Sequence, residues 1–236
     1  MPKSSHRAGG SGKNRLLAHL ANDEREALAS KFETVSLLRG TALYEQGSAV
    51  AFVYFPLSAV ISLLTILEDG SSVQVATVGN EGVVGLTAYL ELERAVVTAV
   101  VQLPGEALRI DARQFAAILT ARGRLHGLLA RYTRALLWQI TRSAGCNRFH
   151  SLKQRCARWL LSAQDRAMKD DLPLTHEFLS GMLGASRQAT GVIIDRLEKG
   201  RLIQTSRGTL KILNRHGIEP LACECYWAVK GEGDSF

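Results

Sequence analysis

The segment from Leu174 to Ile203 carries the side chains whose types and spacing best suit chemistry with another molecule. Thr175 is a candidate N-cap ahead of a short apolar helix face, and Gly184-Ala185-Ser186 forms a tight turn that caps a second helix. The inward positions of that second helix recur at i, i+3, i+4 and i+7, as Thr190, Ile193, Ile194 and Leu197. This spacing predicts a helix-turn-helix of the kind that enters the major groove of DNA.

The outer face of the second helix holds the predicted base-reading residues, which are Arg187, Gln188, Gly191 and Val192. Arginine suits guanine, glutamine suits adenine, and a small apolar side chain suits a thymine methyl group. Two β-rich runs then flank Ser206-Arg207-Gly208, which predicts a hairpin wing with a basic tip. Contacts to the DNA backbone, which position without reading sequence, are predicted for Thr175, Ser186, Arg207 and Lys211. The plain alternative is a helix pair that serves only for packing.

The charge distribution also points to a polyanionic partner. The 236 residues carry a formal charge of +7, but residues 16–120 are net −6 and residues 121–236 are net +9. This contrast predicts two modules, the second of which meets nucleic acid. Nine of the basic residues lie in 121–164, which has no acidic residue, so the helix-turn-helix region itself is formally neutral. We therefore expect these basic helices to surround the site with positive potential rather than to form it.

The four cysteines, Cys146, Cys156, Cys223 and Cys225, all lie in the second half of the chain. Cys146 and His150 are four residues apart and could share a helix face, to which Cys223-Glu224-Cys225 could add ligands. Scattered cysteines are more often small buried residues, so neither a metal nor a cofactor is predicted. A regulator that senses metal or thiol redox state through these four cysteines remains the alternative.

Enzyme, membrane and secretion patterns are not found in the sequence. Gly79-x-x-Gly82-x-x-Gly85 is not a dinucleotide-binding motif, and neither G-x-S-x-G nor a Walker lysine occurs. The 22 residues from Gln46 to Leu67 lack charge, but Pro56 divides them into two β-rich runs, which argues against a membrane span. No secretory signal is recognisable. We expect a cytoplasmic protein that is not an enzyme and has no membrane partner.

The predicted elements change type near Asp111. Short β-rich runs separated by turn residues extend from about Val35 to Ile110 and predict a sandwich or barrel. A short helical segment precedes them, with Asn22 or Asp23 as its N-cap, and the first 15 residues are predicted to be a disordered basic tail. The chain is therefore predicted to be α+β.

A long helix is predicted after residue 122. Its apolar stripe comprises Leu125, Leu129, Tyr132, Leu136 and Ile140. The stripe could simply face the core, but Leu128, Leu137 and Trp138 add apolar surface on other faces, which favours a dimer interface. Gly145-Cys146-Asn147 is predicted to interrupt this helix, and the segment from Asn147 to His150 is predicted to act as a hinge.

With these motifs, Val78–Leu86, Arg155–Leu161 and Gly184–Arg187, the chain resembles the Crp/Fnr family of bacterial transcription regulators over about residues 16–225. The resemblance implies an N-terminal double-stranded β-helix (jelly roll) of the cyclic-nucleotide-binding type, a long dimerisation helix and a C-terminal winged helix-turn-helix. It also implies a homodimer on a palindromic operator, for which RNA polymerase is an expected partner. The corresponding segments are the disordered basic tail (residues 1–15), the cyclic-nucleotide-binding-like sensor domain (16–122), the dimerisation helix (123–146) and the winged helix-turn-helix domain (147–236).

The departures from that family concern the effector pocket, which comprises Gly82, Val83, Gly85, Leu86, Arg94, Val97 and Thr98. Cyclic-AMP-binding members hold the phosphate with a glutamate and an arginine, whereas Val83 and Val97 stand at the corresponding positions here. Arg94 could substitute only through a rearranged loop. We therefore expect a degenerate pocket that does not respond to ordinary cyclic AMP, and the effector stays unknown.

Two further departures bear on cofactor and sequence preference. No cysteine precedes Cys146, which argues against the N-terminal iron–sulfur cluster of the oxygen-sensing branch. Gln188 and Val192 replace the glutamate and arginine of the cyclic-AMP-binding members, so the preferred DNA sequence should differ from theirs.

Overall fold

A computed structural model describes residues 14–119, 123–167 and 169–233. The described residues form two compact units, one built from residues up to Ile61 together with Val78–Ala135, and the other from Ser62–Thr77 together with residues from Leu136 onward. Most of the predicted basic tail, including Lys3, Arg7 and Lys13, lies outside the described residues, as does the predicted boundary at residue 122.

The N-terminal part of the chain is rich in strands, as predicted. Its elements are α1 (Arg15–Ala18), α2 (Asn22–Ala29), β1 (Glu33–Leu37), β2 (Ala42–Tyr44), β3 (Phe52–Pro56), β4 (Val60–Ile66), β5 (Ser72–Val78), a 3-10 turn (Leu86–Ala88), β6 (Thr98–Leu103), β7 (Gly105–Asp111) and α3 (Ala112–Leu119). Among the described strands, β1-β7-β3 form one sheet and β2-β6-β4-β5 form another. The uncharged segment thus forms β3 and β4, and Pro56 ends β3.

An aromatic cluster fills the core of the first unit. The Phe55 ring is buried and packs edge-on against Phe32 at a centroid distance of 5.3 Å and against Phe115 at 5.8 Å. These contacts join β3 to α3, the helix at which the spacing of apolar residues changes from a period of two residues to about 3.6. Of the helices in the described ranges, none is long and apolar enough to cross a membrane.

The prediction of the α2 cap is wrong. Ala21 is the N-cap of α2 and has no side-chain capping bond, while Asn22 lies inside the helix and accepts a hydrogen bond from Arg25 Nη2 at 2.6 Å. The capping side chain belongs to the preceding helix, because Asn14 Oδ1 accepts from Leu17 N at 3.1 Å. Asn14 Nδ2 also donates to the carbonyl oxygens of Pro56 and Gly82, both at 2.9 Å, which explains why it is buried.

The long helix α4 (Arg124–Phe149) continues through the segment predicted to break it. A single glycine inside a helix costs only about 1 kcal/mol, and the burial of the Cys146 side chain offsets this cost. The chain leaves the helix at His150-Ser151 instead. The hinge predicted for Asn147–His150 is therefore helical along most of its length.

The predicted apolar stripe of α4 does face inward. Leu125, Leu129 and Tyr132 are buried inside their own chain, as is Leu128, whereas Leu136 and Ile140 are half-buried. The predicted stripe is therefore mainly a core-facing surface. The large apolar side chains that α4 exposes are Leu137, Trp138 and, at its last residue, Phe149.

The C-terminal elements form a winged helix-turn-helix. They are α5 (Leu152–Ala167), β8 (Asp171–Leu172), α6 (His176–Leu183), α7 (Arg187–Lys199), β9 (Ile203–Ser206), β10 (Thr209–Ile212), α8 (Arg215–Ile218), a 3-10 turn (Glu219–Leu221) and α9 (Cys225–Gly233). The strands form an antiparallel sheet in the order β8-β10-β9. Strand β8 and the helices that follow the wing were not predicted from the sequence.

Candidate nucleic-acid interface

Two capped helices and a left-handed glycine build the helix-turn-helix. Thr175 Oγ1 accepts from Phe178 N at 3.2 Å to begin α6, and Ser186 Oγ accepts from Ala189 N at 3.1 Å to begin α7. Gly184 ends α6 with φ +56°, a conformation that residues with a Cβ adopt only at a cost in free energy. A Cβ at this position would also lie 3.1 Å from Val73 Cγ2. The predicted turn is thus formed with the predicted caps.

The two faces of α7 differ as the spacing predicted. Thr190, Ile193, Ile194 and Leu197 are buried, whereas Arg187, Gln188 and Val192 are exposed and Gly191 is half-buried. A Cβ built on Gly191 meets no atom within 4 Å, so packing inside the chain does not require glycine there. The first two turns of α7 therefore present three side chains outward, and Gly191 leaves open space among them.

Glu177, in the first turn of α6, forms an ion pair with Arg187 of α7. Both side chains are about two-thirds exposed, at 67% and 70%. This pair was not predicted from the sequence. The pair joins residues ten positions apart across the turn, and no local pattern marks such a contact.

The wing is held to α7 by a carboxylate. Glu198 Oε1 accepts from Thr205 N at 2.5 Å and from Thr205 Oγ1 at 2.8 Å, and these bonds lower the pKa of Glu198. Arg207 and Gly208 form the tip between β9 and β10, where Gly208 has φ +76°. Lys211 Nζ lies 4.0 Å from Asp171 Oδ1 and is half-exposed. The wing thus presents two cations, of which Lys211 has a carboxylate nearby.

The segment predicted to form the effector pocket is tightly packed. Val83 and Val84 are each 1% exposed, and Val84 exchanges two 2.8 Å backbone hydrogen bonds with Tyr54. A Cβ on Gly82 would come within 2.6 Å of Tyr132 Cζ, so the Tyr132 ring fills the space beside this glycine. Burial is the main cause that raises the pKa of Tyr44, whose hydroxyl also bonds the backbone of Gly85.

The remaining predicted pocket residues are divided between the surface and the interior. Arg94 is exposed, and its Nη1 donates to the Gly47 carbonyl oxygen at 2.8 Å. Val97 is half-buried, and Thr98 is buried with its Oγ1 accepting from Gln46 N at 2.9 Å. Leu86 is buried in the 3-10 turn that follows Gly85. The Arg94 guanidinium is therefore engaged in a hydrogen bond to the Gly47 carbonyl oxygen.

Three of the four cysteines come together with one histidine. Cys146 Sγ lies 3.5 Å from Cys223 Sγ, and Cys225 Sγ lies 3.7 Å from His150 Nδ1. The hydrogen bond between the first two sulfurs lowers the pKa of the Cys146 thiol and raises the pKa of the Cys223 thiol. Cys156 is not part of this group, and burial raises the pKa of its thiol to about 12.

Two protein-family models match the chain. A cyclic nucleotide-binding domain matches residues 34–122, and a Crp-like helix-turn-helix domain matches residues 154–221. No significant match is found among curated protein sequences.

Solved structures with the same fold include several transcription regulators. A putative transcriptional regulator of the Crp/Fnr family from Eubacterium rectale is 17% identical with a TM-score of 0.69, covering 89% of this chain and 98% of that chain. FixK2 from Bradyrhizobium japonicum is 14% identical with a TM-score of 0.68, covering 81% and 98%. The c-di-GMP-responsive global regulator CLP from Xanthomonas campestris is 16% identical with a TM-score of 0.67, covering 81% and 99%. At these identities the likeness shows the fold alone.

Proposed function

Because the chain belongs to the Crp/Fnr family of transcription regulators and carries a DNA-binding helix-turn-helix, we propose that it binds a palindromic DNA site as a homodimer and reads base edges with α7. The observation that carries this proposal is the exposed N-terminal face of α7 opposite a fully buried face. The coarser assignment to transcription regulation and DNA binding follows from the family. We expect no catalytic activity and place the proposed action in the cytoplasm, with RNA polymerase as a further partner.

The reading of guanine by Arg187 requires its release from Glu177. An exposed ion pair contributes about 0–1 kcal/mol, whereas a bidentate contact between arginine and guanine contributes about 1–3 kcal/mol of discrimination. Exchange of Glu177 for a guanine edge is therefore favourable overall. Gln188 would read adenine, and Gly191 and Val192 would leave room for a thymine methyl group.

Backbone contacts are proposed for both caps and for the wing. The N-termini of α6 and α7, at Thr175 and Ser186, carry unpaired helical N–H groups that suit phosphate oxygens. Arg207 at the wing tip and Lys211 on β10 would add charge-assisted contacts. None of these four contacts distinguishes one base pair from another.

The proposed dimer interface is the exposed face of α4. Its exposed residues recur at spacings of three and four, a pattern typical of paired helices. They are Gly127, Ala130, Arg134, Leu137, Thr141, Ala144 and Arg148. Leu137 is 60% exposed at the centre of this face, and Trp138 beside it is 38% exposed. This face supports a homodimer better than the stripe that begins at Leu125, which is largely buried.

We further propose that ordinary cyclic AMP is not the effector. A cyclic phosphate would meet the buried Val83 rather than a charged side chain, and it would lose charge-assisted hydrogen bonds of about 1.5–3 kcal/mol each. The bond between Arg94 and the Gly47 carbonyl further supports this proposal. Thermal shift with cyclic AMP should show no stabilisation. Cyclic di-GMP belongs in the same screen, because CLP is described as responsive to it.

The central test combines site selection with one substitution. Sequences enriched from random duplex DNA by the purified chain should be palindromic, with half-sites about one helical turn apart. Arg187→Ala should weaken binding to the selected site by about 5- to 150-fold for each half-site, equivalent to 1–3 kcal/mol per half-site, and relax one guanine position in each half-site. Arg113→Ala, which removes an exposed arginine from α3, is the control. Unchanged specificity of Arg187→Ala would disprove the assignment of α7.

A further inference from the structure

Four potential ligand atoms converge in the C-terminal unit, on residues outside α7. The sulfurs of Cys146, Cys223 and Cys225 and a ring nitrogen of His150 all lie within 4.8 Å of one another. A tetrahedron around Zn²⁺ with bonds of about 2.3 Å to sulfur has edges of about 3.8 Å. The 3.5 Å distance between Cys146 Sγ and Cys223 Sγ, and the 3.7 Å distance between Cys225 Sγ and His150 Nδ1, are close to that value.

The four residues come from two distant segments. Cys146 and His150 are one helical turn apart at the end of α4, and His150 N donates to the Cys146 carbonyl oxygen at 3.1 Å. Cys223 and Cys225 flank Glu224 where the chain enters α9. Each segment thus supplies two ligands, and an ion between them would fasten the end of α4 to the segment that follows the wing.

Glu224 supplies the second observation. Its Oε1 lies 3.2 Å from His150 Nε2, so this ring nitrogen can donate to the carboxylate while Nδ1 remains available as a ligand. Metal-ligating histidines commonly donate their other ring N–H to a carboxylate in this way. Simple packing of cysteines as small apolar residues accounts for three buried thiols but not for a histidine and a carboxylate in this order.

We propose that Cys146, His150, Cys223 and Cys225 bind one Zn²⁺ ion with tetrahedral Cys₃His coordination, and that Glu224 is a positioning residue for His150. Three cysteines and one histidine are an established ligand set for structural zinc. An iron–sulfur cluster fits less well, because its four ligands are divided among at least two iron atoms and ligands of different irons must lie farther apart. A disulfide between Cys146 and Cys223 would need about 2.05 Å between sulfurs, and both are free thiols here.

The first experiment measures metal content, which is independent of DNA binding. The full chain, purified under reducing conditions and analysed by mass spectrometry of metals, should contain one zinc per chain. Cys146→Ser, Cys223→Ser and Cys225→Ser should each lose most of it, whereas Cys156→Ser should retain it, because Cys156 lies outside the cluster. Zinc retained equally by all four variants, or absent from the unmodified chain even after incubation with Zn²⁺, would overturn the proposal.

The second experiment avoids variants that fail to fold. Chelator-treated unmodified chain is titrated with Co²⁺, and we expect the visible and near-ultraviolet absorption of tetrahedral cobalt–thiolate coordination, which Zn²⁺ then abolishes. Octahedral cobalt without thiolate absorption would contradict the proposal.

Glu224 has its own test. Glu224→Ala should weaken zinc affinity by about 10- to 100-fold in competition with a chelator, while the Co²⁺ spectrum keeps its tetrahedral form. Glu224→Gln, which retains an acceptor for the histidine N–H, should lose less. Equal affinities for both variants and the unmodified chain would show that Glu224 does not position His150. Because none of these measurements involves DNA, failure of the zinc site leaves the proposed function intact, and the converse also holds.

Discussion

Residue 82 in the β-rich unit has to be glycine because of its packing against Tyr132. The Tyr132 ring occupies the space that a side chain at residue 82 would need, with Oη 2.5 Å from an ideal Cβ. Because Tyr132 is buried, the ring cannot move without disturbing its neighbours. Gly82→Ala should therefore lower the free energy of unfolding by about 1–3 kcal/mol.

Chemical denaturation measures this change, and Gly145→Ala is the matched control. Gly145 lies within α4 outside the proposed dimer face, and a Cβ there would meet no atom within 4 Å. Its replacement should stabilise the chain by about 0.5–1 kcal/mol because alanine loses less entropy in a helix. If Gly82→Ala is as stable as Gly145→Ala, the Tyr132 ring does not fill the space beside residue 82.

Residue-level features were predictable from the sequence where they depend on neighbours along the chain. Thr175 and Ser186 cap their helices as predicted, because a cap needs only a backbone N–H three residues on. The pair of Glu177 with Arg187 and the contact of Tyr132 with Gly82 could not be predicted, because they depend on tertiary packing. The spacing of Cys146 and His150 predicts that they share a helix face, but the approach of Cys223 to Cys146 depends on the tertiary fold and could not be predicted.

At the scale of elements, propensity and packing disagree most clearly in α4. Gly145 was predicted to interrupt the helix, yet the helix continues to Phe149, because the free energy gained by burying Cys146 outweighs the modest helix-propensity cost of glycine. The apolar stripe was located correctly, but periodicity cannot tell whether a stripe meets its own chain or a partner. Burial in the structure settles this for Leu125, Leu129 and Tyr132.

Glu198 joins two elements, α7 and β9, and makes their association depend on pH. Its pKa is lowered in the folded chain by the hydrogen bonds from Thr205, so the stabilisation is complete above the ordinary glutamate value of about 4.5. It is lost progressively as the pH falls below 4.5 through the lower folded value. We expect Glu198→Gln to reduce stability at neutral pH and to flatten its decrease below pH 4.5.

Denaturation at a series of pH values tests this expectation, with Glu106→Gln as the control. Glu106 lies on β7, in the compact unit that does not contain the wing. A decrease in stability below pH 4.5 that is equally steep in Glu198→Gln and in the unmodified chain would show that other carboxylates cause it.

At the scale of the whole molecule, the order of elements was predictable and the connections at its C-terminal end were not. Short strands, a long helix and a winged helix-turn-helix each have a local period or turn signal, and all three are present. The segment after the wing has no such signal. It is held by Arg215, which bonds Asp165 at 2.9 Å and Tyr226 at 2.5 Å, and the contact with Asp165 links residues far apart in the sequence.

The proposed homodimer gives a prediction for the exposed face of α4. Leu137→Glu would place a charge at the centre of this face, where a second copy would have to desolvate it. We expect light scattering to show a monomer for this variant and a dimer for the unmodified chain. Binding to a palindromic site should fall by more than about tenfold, since one half-site is lost. The control is Leu67→Glu, at a residue that is 61% exposed outside α4, and this variant should remain dimeric. If Leu137→Glu is also dimeric, the exposed face of α4 is not the dimer interface.

The distribution of charge predicts which cations touch DNA and which only attract it. Each phosphate contact releases counterions, so log K falls with log salt by about 0.9 for every contact. Lys211→Ala should reduce that slope by about 1.8 for a dimer and weaken binding to all sequences alike. Arg131→Ala removes an exposed arginine of the acid-free segment and should slow association at low salt without changing the slope. Fluorescence anisotropy across a salt series separates the two effects. Equal slope changes for both variants would mean that α4 itself contacts the DNA backbone, because only a cation that neutralises a phosphate releases counterions from the DNA.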